Sequence, residues 1–534
     1  MSKNTELTAS QKRAANPDFV KTFSLKALKD RLPFRFPVPE DVPPSPKRRY
    51  RSQYRYLSYD DLLVPTILAT LTLFQIALRL IDFSPLRDYL AQFYYVQSAK
   101  GQAPFDPVSL FLCTCLRREL NLSWRALAKL LAGEHGAGWR RLFGFQEGIT
   151  PSASGLRYFF NQVGAEVFDE LCPLFTDLLH QAGLLPKHST YPGDPPHRGV
   201  TISHDLMLHE ARSNMKCAHV TDSCYQPTPR PCPAQEAGKE GCDCTEEACS
   251  LACRRATSLD AEARYIHYEG RNKEADLATQ DDSQGRDVYG YASNPDRLID
   301  DDFACAWTIR TDLQSANDDE RDLFPKSFAR LQNRFPYLDI DEMLADAALG
   351  FQCCLDPIWE AGALRMVDIR ADKNDKDPQT QLRRGYNENG HPLCIHGYEM
   401  SPNGHDYQRR RTKWVCKKIC LKDSKRSVPD CPYLTTEHKH GQVVNVGRTL
   451  PDGSVRLARE VPYGSKTWKK RYGRRSLSES RNGSQERMGL KRLPNFGLNR
   501  NHKDVIIGDF LDNLRTLGRL VQEATTLTLQ AVTG

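Results

Sequence analysis

The chain has 534 residues, of which 40% are hydrophobic and 26% charged, the composition of a soluble globular protein with two to four domains. Its most apolar stretch, residues 62–78, contains Pro65 and Gln75 and is shorter than the roughly 20 residues of a membrane-spanning helix, so we expect no membrane partner. Residues 1–18 hold no apolar signal-peptide region, and we therefore expect a cytoplasmic protein.

Basic residues are concentrated in two segments, although Lys and Arg exceed Asp and Glu only by 74 to 67 overall. Residues 461–503 hold twelve Lys and Arg against two acids, and residues 1–56 hold thirteen against five. Because phosphate neutralisation supplies most non-specific affinity for nucleic acids, these segments indicate a polyanionic partner. The alternative is that they serve solubility and form a disordered tail, as charge runs usually do.

The first part of the chain divides into an arm and a helical region. Residues 1–58 are basic and rich in proline, and we expect them to be mostly disordered. Residues 59–186 have helical periodicity throughout, with Ser123 and Ser152 at positions typical of helix N-caps. The short helices that begin there fit either a helix-turn-helix variant or a plain bundle. We interpret this region as an all-α N-terminal DNA-binding domain.

After a linker the pattern changes to short strands that alternate with helices, which predicts a mixed α/β sheet over residues 199–212 and 286–371. Polar, Cys-containing residues 213–285 and 372–460 interrupt it and are interpreted as insertions. Residues 461–534 combine a basic segment with an apolar helix. The predicted strands are 199–205, 287–293, 303–313, 342–348 and 364–370, and the predicted helices are 325–335, 351–361 and 505–528.

Two aspartates follow or end predicted strands. Asp205 ends the first strand, and Asp346 lies in the strand 342–348, where a sheet would project both side chains into a shared cleft. Divalent-metal phosphoryl transfer needs carboxylates that converge on two ions about 3.5–4 Å apart, and Mg²⁺ prefers oxygen ligands. Taken singly, an aspartate at a strand end is more often a cap or a turn former.

The order of these segments leads to a motif near the C-terminus. The strand with Asp205 is followed by Gly290-Tyr291, by the polar segment 317–322, by Asp346-Ala-Ala and finally by the sequence YGRRSLSE of residues 472–479. In this order, residues 105–530 without 213–285 resemble the bacterial insertion-sequence transposases of the DDE class.

The closing signature of that family is Tyr, two residues, Arg, three residues, Glu, six residues, Lys. Tyr472, Arg475 and Glu479 match its spacing. The Lys position holds Glu486 instead, and the nearest downstream lysine is Lys491. Glu486 is therefore a rival for the third acid, two helical turns from Glu479.

The resemblance implies an RNase H-like mixed sheet with flanking helices, preceded by the all-α domain and interrupted by the Cys-rich insertions. It implies Asp205, Asp346 and Glu479 as catalytic ligands of Mg²⁺ or Mn²⁺. The implied activity is cleavage at transposon ends and strand transfer into target DNA, by a homo-oligomer bound to double-stranded DNA in a bacterial nucleoid.

Arg475 lies one helical turn before Glu479, so it would contact a DNA phosphate beside the acids. The alternative is an ordinary Arg–Glu pair on a helix surface. The residues that we expect to contact DNA are Arg475, Lys469, Lys470, Arg471, Tyr472 and Lys491.

Seventeen cysteines are many for a cytosolic protein, and their clustering indicates metal before disulfides. The first group lies in 213–285, where few apolar residues are available to form a core, so structural zinc is one interpretation; a redox-active loop or disorder is the other. Its members are Cys217, Cys224, Cys232, Cys242, Cys244, Cys249 and Cys253.

The second group consists of Cys394, Cys416, Cys420 and Cys431. A C-x₃-C pair between two single cysteines suits a tetrahedral Zn²⁺ site. The surrounding residues 408–426 are basic, which would suit a zinc knuckle that faces DNA. The alternative is a solvated basic loop with incidental thiols.

Three functions follow from these patterns. The first is a DNA transposase with a two-metal mechanism. The second is a nuclease of the same fold, or a domesticated transposase, that cleaves without strand transfer. The third is a non-catalytic zinc-dependent DNA-binding protein, in which Asp205, Asp346 and Glu479 are structural.

Overall fold

A computed structural model describes residues 7–43, 49–94, 103–213, 260, 262–268, 286–370, 372–418, 420, 431–433 and 441–533. They form a mixed α/β fold with a seven-stranded mixed sheet, a small three-stranded sheet and many helices. Over these ranges the structure has no helix that is both long enough and apolar enough to span a membrane.

The helices before the large sheet are α1 (Ala9–Ala15), α2 (Pro17–Phe23), α3 (Leu25–Leu28), α4 (Pro65–Thr70), α5 (Leu73–Leu80), α6 (Leu86–Tyr94), α7 (Pro107–Glu119), α8 (Trp124–Ala132), α9 (Ala137–Phe143), α10 (Ala153–Gln162), α11 (Ala165–Asp169) and α12 (Leu171–Gln181). The side chains of Ser123 and Ser152 cap α8 and α10, as the sequence predicts, by accepting hydrogen bonds from the N–H groups of Ala126 (3.1 Å) and Gly155 (3.2 Å). Helix α10 packs against α7 and α8, so the helices form a bundle.

The N-terminal arm differs from the expectation of disorder over residues 7–43, which contain α1 to α3. Phe19 and Phe23 are fully buried, and their rings lie 5.9 Å and 5.0 Å from the ring of Phe303. Arg13 Nε pairs with Glu523 Oε2 at 2.8 Å. The arm is ordered by apolar contacts with partners hundreds of residues away, which its proline and charge content did not reveal.

The large sheet is built around one long strand. Its strands are β3 (Val200–His204), β4 (Met207–Glu210), β5 (Arg264–Tyr268), β6 (Arg286–Asp300), β7 (Cys305–Ser315), β8 (Ile340–Ala345) and β9 (Leu364–Val367); β1 (Phe34–Arg35) and β2 (Ile81–Asp82) pair separately. Strands β3 and β4 pair with successive parts of one edge of β6, and β7 pairs along its other edge, all antiparallel. Strand β8 adds to β3 in parallel, and β9 adds to β8 in parallel.

Helices α13 (Glu320–Arg334) and α14 (Gln352–Glu360) follow β7 and β8, and they connect the parallel strands. Because β3, β8 and β9 are parallel, their carboxyl ends lie at the same edge of the sheet. The register fixes this edge: Ser203 is opposite Leu344, and Leu344 is opposite Met366.

One face of the sheet is covered by the basic segment. Helix α16 (Lys466–Tyr472) places Trp468 on a cluster of buried apolar side chains from four strands, and α17 (Arg475–Arg487) follows it. The covered side chains are Ile299, Ala306, Leu344, Leu364 and Met366. The basic segment is therefore part of the folded sheet layer, which brings Glu479 towards the sheet.

The C-terminal helix α18 (Leu498–Thr533) runs through the largest hydrophobic core. The ring of Phe510 lies 5.8 Å from Phe36, 6.4 Å from Phe83 and 5.9 Å from Phe175. The N-terminal arm, the helical region and the sheet thus share one core. The expected boundary near residue 186 therefore does not separate two cores. Helix α18 is apolar on several faces, so it must be buried by segments from both sides of that boundary.

The described residues between 372 and 460, namely 372–418, 420, 431–433 and 441–460, form a small unit with its own core. It contains α15 (Pro378–Arg384) and an antiparallel sheet of β10 (Ser401–Asp406), β11 (Arg411–Val415) and β12 (Val443–Val446). Trp414 and Val446 are buried in this core together with Cys394 and Cys416. The cysteines of the first group all lie outside the described residues.

Candidate active site

Asp205 and Asp346 occupy corresponding positions on neighbouring parallel strands. Each lies two residues beyond Ser203 and Leu344, the last residues that pair between β3 and β8, at the carboxyl edge of the sheet. Asp346 Oδ1 accepts a hydrogen bond from Ala348 N–H at 2.8 Å, which caps the 3₁₀ turn after β8. The capping role and the position at the shared edge therefore coexist at Asp346.

Arg475 connects Asp205 to Glu479. Its Nη1 lies 3.2 Å from Asp205 Oδ1, and its Nη2 lies 3.0 Å from Glu479 Oε1. The Arg475–Glu479 pair considered as an alternative is thus present, but the same guanidinium also reaches across to the sheet. One cation is held between carboxylates from a strand end and from helix α17.

The electrostatics link all three acids. Burial raises the pKa of Asp205; Arg475 opposes this, whereas the charges of Asp346 and Glu479 raise it further. Burial lowers the pKa of Arg475, but the negative charges of Asp205, Asp346 and Glu479, with Tyr472, outweigh it and raise the pKa overall. The charges of all three acids thus act on the same guanidinium.

Glu486 does not share this region. Its side chain is half exposed, and its nearest cation is Lys491, at 3.8 Å from Oε1. Glu479 lies two turns earlier in α17 and bonds to the guanidinium that contacts Asp205. Of the two candidates for the third acid, the geometry favours Glu479.

Three further side chains beside the acids were missed by the sequence analysis. Asn482 Nδ2 lies 3.4 Å from Asp205 Oδ2. Asn482 follows Glu479 by three residues, a spacing that places both side chains on the same face of a helix and could have predicted this position. His204 Nδ1 lies 2.7 Å from Asp296 Oδ1, directly before Asp205 in the chain.

Glu320, the third of these, belongs to the polar segment 317–322 and begins helix α13. Burial raises its pKa to about 7; His204 opposes this, and the charges of Asp346 and Asp205 add to it. Glu320 and His204 line the same cavity of about 270 Å³. A fourth acid, Glu320, is thus linked electrostatically to Asp205 and Asp346.

The residues expected to contact DNA fall into two classes. Lys469 and Lys470 are exposed on α16. Arg471 is buried, and its Nη2 donates to both carboxylate oxygens of Asp194 at 2.7 Å and 2.9 Å. The prediction for Arg471 is therefore wrong in this structure, because its guanidinium is consumed by an internal ion pair.

Tyr472 and Lys491 lie on either side of Glu479 along the chain. Tyr472 stacks on Trp468 with ring centroids 4.4 Å apart, and the Arg475 guanidinium carbon lies 5.6 Å from the Tyr472 ring. The Tyr472 ring thus packs near the Arg475 guanidinium. Lys491 is partly exposed beside Glu486. A DNA contact by either residue stays a prediction.

As they stand, the side chains form no ready metal-binding group: within the described ranges, no three His, Cys, Asp or Glu side chains are arranged to hold an ion. At Asp205 and Glu479 the reason is visible, since the guanidinium of Arg475 takes the position between them. The donor set nevertheless suits a hard cation, because it consists of carboxylate oxygens that already converge on one positive charge.

The cysteines of the second group come together in the small unit. Cys394, Cys416, Cys420 and Cys431 line one cavity, and all four are free thiols.

No protein-family model, no curated protein and no solved structure matches this chain. Function must therefore be argued from the site itself.

Proposed function

We propose that the chain is a DNA transposase whose active site is formed by Asp205, Asp346 and Glu479. The observation that carries the proposal is the single guanidinium of Arg475 held between Asp205 and Glu479, beside an edge that also carries Asp346. Acids from two parallel strands and one helix at the same edge can supply the carboxylates that hold the metal ions in phosphoryl transfer.

The sheet topology supports the proposal. Strands β3, β6 and β7 are antiparallel neighbours, and β8 and β9 then add in parallel beside β3, with helices between them. We infer from this order that the sheet is RNase H-like. A fold of this kind can host many activities, so the proposed function rests on the site.

Mg²⁺ or Mn²⁺ would be held by Asp205, Asp346 and Glu479, and when bound it would supply Lewis-acid stabilisation of phosphoryl oxygens. Arg475 would then be released from its two carboxylates. Its fork of N–H donors matches a phosphate, so it can hold the DNA backbone beside the acids.

The surroundings provide cations for double-stranded DNA. Lys469 and Lys470 are exposed on α16, next to the helix that carries Glu479. Carboxylates repel phosphates, so exposed neighbouring cations are needed to bring a DNA backbone to this edge. Such contacts position DNA without reading its sequence. Assembly as a homo-oligomer on DNA, in the bacterial cytoplasm, belongs to the same proposal.

A cleavage assay with matched variants tests the proposal. The substrate is a plasmid that carries the DNA flanking the coding sequence, incubated with the full chain and Mg²⁺ or Mn²⁺. We expect Glu479→Gln to lower cleavage by at least about a hundredfold, since it removes one charged group from the reacting centre. Glu486→Gln, the same change two turns away, should cleave at the wild-type rate.

Binding measurements separate chemistry from folding. Glu479→Gln should bind DNA at least as tightly as the wild type, because it removes a negative charge from the binding edge. Wild-type cleavage by Glu479→Gln or by Asp346→Asn would contradict the proposal and favour a non-catalytic DNA-binding protein. Pre-cleaved ends supplied with target DNA then test strand transfer: hydrolysis without joined products would identify a nuclease.

A further inference from the structure

The four cysteines of the small unit come from two parts of the chain: Cys394 precedes β10, and Cys416, Cys420 and Cys431 lie between β11 and β12. Cys394 begins a tight turn in which Gly397 N–H donates to its carbonyl at 2.8 Å. Cys416 directly follows β11, and Cys420 and Cys431 follow it in the chain. A shared cavity from such distant positions is a tertiary arrangement that the spacing alone does not require.

Burial and chemistry point to an ion in this cavity. Cys394, Cys416 and Cys420 are buried, Cys431 is partly buried, and the thiol of Cys416 has that of Cys394 as a hydrogen-bond partner. The cavity has a volume of only about 10 Å³. That is about the room of one water-sized body, so it suits a single ion and excludes a molecular ligand.

A nitrogen ligand is also available at the cavity. His396 lines it, and its Nε2 is buried without a hydrogen-bond partner. A buried imidazole nitrogen left without a partner is costly unless something else satisfies it. Its presence beside four thiols is a second observation that points to a metal.

Gln442, which also lines the cavity, ties two parts of the small unit together. Cys416 N–H donates to the carbonyl of Gln442 at 2.9 Å, and Ile395 N–H donates to Gln442 Oε1 at 2.9 Å. These bonds hold the main chain at Cys416 and next to Cys394 to the same residue.

A metal centre would add stability to the small unit. Its core contains few buried apolar side chains. A core of this size contributes little stability by itself, and natural units of this kind are commonly held by a structural metal or disulfides.

We infer that Cys394, Cys416, Cys420 and Cys431 bind one structural Zn²⁺ that holds the loops of residues 372–460 together. Tetrahedral thiolate coordination with Zn–S near about 2.3 Å is the preferred arrangement for zinc. The zinc is separate from the carboxylate site and does not depend on the proposed cleavage activity.

Metal analysis of the purified full chain tests this inference directly. We expect about one zinc per chain in the wild type, and less than about a tenth of that in Cys416→Ser, since structural sites need all of their ligands. Cys353→Ser is the matched control, because Cys353 is an exposed free thiol outside the group. It should keep the full zinc content.

Two further measurements keep the inference falsifiable if Cys416→Ser does not fold. Cobalt in place of zinc should give intense thiolate charge-transfer absorption in the wild type, reduced by about a quarter in Cys431→His, which retains a ligand. Wild-type protein without zinc and without cobalt absorption, or equal zinc loss in Cys353→Ser, would overturn the assignment.

Discussion

Arg471 and its neighbours Lys469 and Lys470 carry the same charge on one short helix, but we expect opposite consequences when they are removed. Arg471→Ala should destabilise the fold. Its guanidinium and the carboxylate of Asp194 are each only 4% exposed, and breaking one partner of a buried pair costs roughly 3–5 kcal/mol.

The structure places the cost near the lower end of that range. After the change, Asp194 still has Ser189 Oγ at 2.6 Å and Arg198 Nε at 3.5 Å. Glu342, whose Oε1 lies 3.3 Å from Arg471 Nε, keeps Thr201 Oγ1 at 3.0 Å and the guanidinium of Arg474. Both buried charges are therefore only partly uncompensated. A loss of about 3 kcal/mol corresponds to a roughly 150-fold shift of the folding equilibrium, and it should lower the Tm by several degrees.

The lysine pair should affect binding instead. Lys469→Ala with Lys470→Ala removes two exposed cations, so stability should change by less than about 0.5 kcal/mol. Each lost phosphate contact lowers the slope of log affinity against log salt by about 0.9, so the double variant should lose about 1.8. Lys12→Ala with Lys21→Ala removes the same charge from exposed positions on α1 and α2 and is the control.

Thermal denaturation measures the stability of the Arg471 variant, and filter binding over a salt series measures the DNA affinity of the lysine variant. A triple change that includes Arg471 would mix the two effects, which is why the variants must be separate. If Arg471→Ala keeps the wild-type Tm but flattens the salt slope, the guanidinium contacts phosphate and the packing argument is refuted. An unchanged slope in the lysine variant would mean that this surface does not bind DNA.

Two other predictions concern buried charges. Arg481→Met should lower the free energy of unfolding by about 3–5 kcal/mol in urea denaturation, because it leaves the fully buried carboxylate of Asp509, which accepts from Arg481 at 2.6 Å and 2.9 Å, without its cation. Adding Asp509→Asn should recover part of this loss. Strictly additive effects in the double variant would argue against the pairing. Burial raises the pKa of Asp300 to about 7, although the hydrogen bond from Phe303 N–H opposes this shift. The protonated Asp300 side chain therefore contributes fully to stability below its ordinary pKa near 4, and this contribution is lost as pH rises through 7. Asp300→Asn should remove that decline, by about 2–4 kcal/mol between pH 4 and pH 8, and parallel stability curves for the two proteins would contradict it.

Much of the local structure could be predicted from the sequence. The strands that carry Asp205 and Asp346, the intervening helices and the caps at Ser123 and Ser152 lie close to their predicted positions. These features depend on side-chain periodicity and on hydrogen bonds a few residues apart, so the residues that determine them are neighbours in the chain.

The choice between Glu479 and Glu486 depended on the tertiary structure. Both glutamates are on one helix and share its periodicity, so only the packing of α17 on the sheet shows which of them approaches Asp205. The same is true of Arg471, whose partner Asp194 lies 277 residues away in the chain. A basic segment has the same composition whether its cations face solvent or buried acids.

The order of the N-terminal arm also depended on the tertiary structure. Its composition is that of a disordered segment, yet Phe19 and Phe23 are buried against Phe303 and the C-terminal helix. Composition measures how much apolar surface a segment has by itself, whereas order depends on the surface that distant segments offer to it. The sequence by itself determined which elements form, and long-range burial determined which charges and thiols meet.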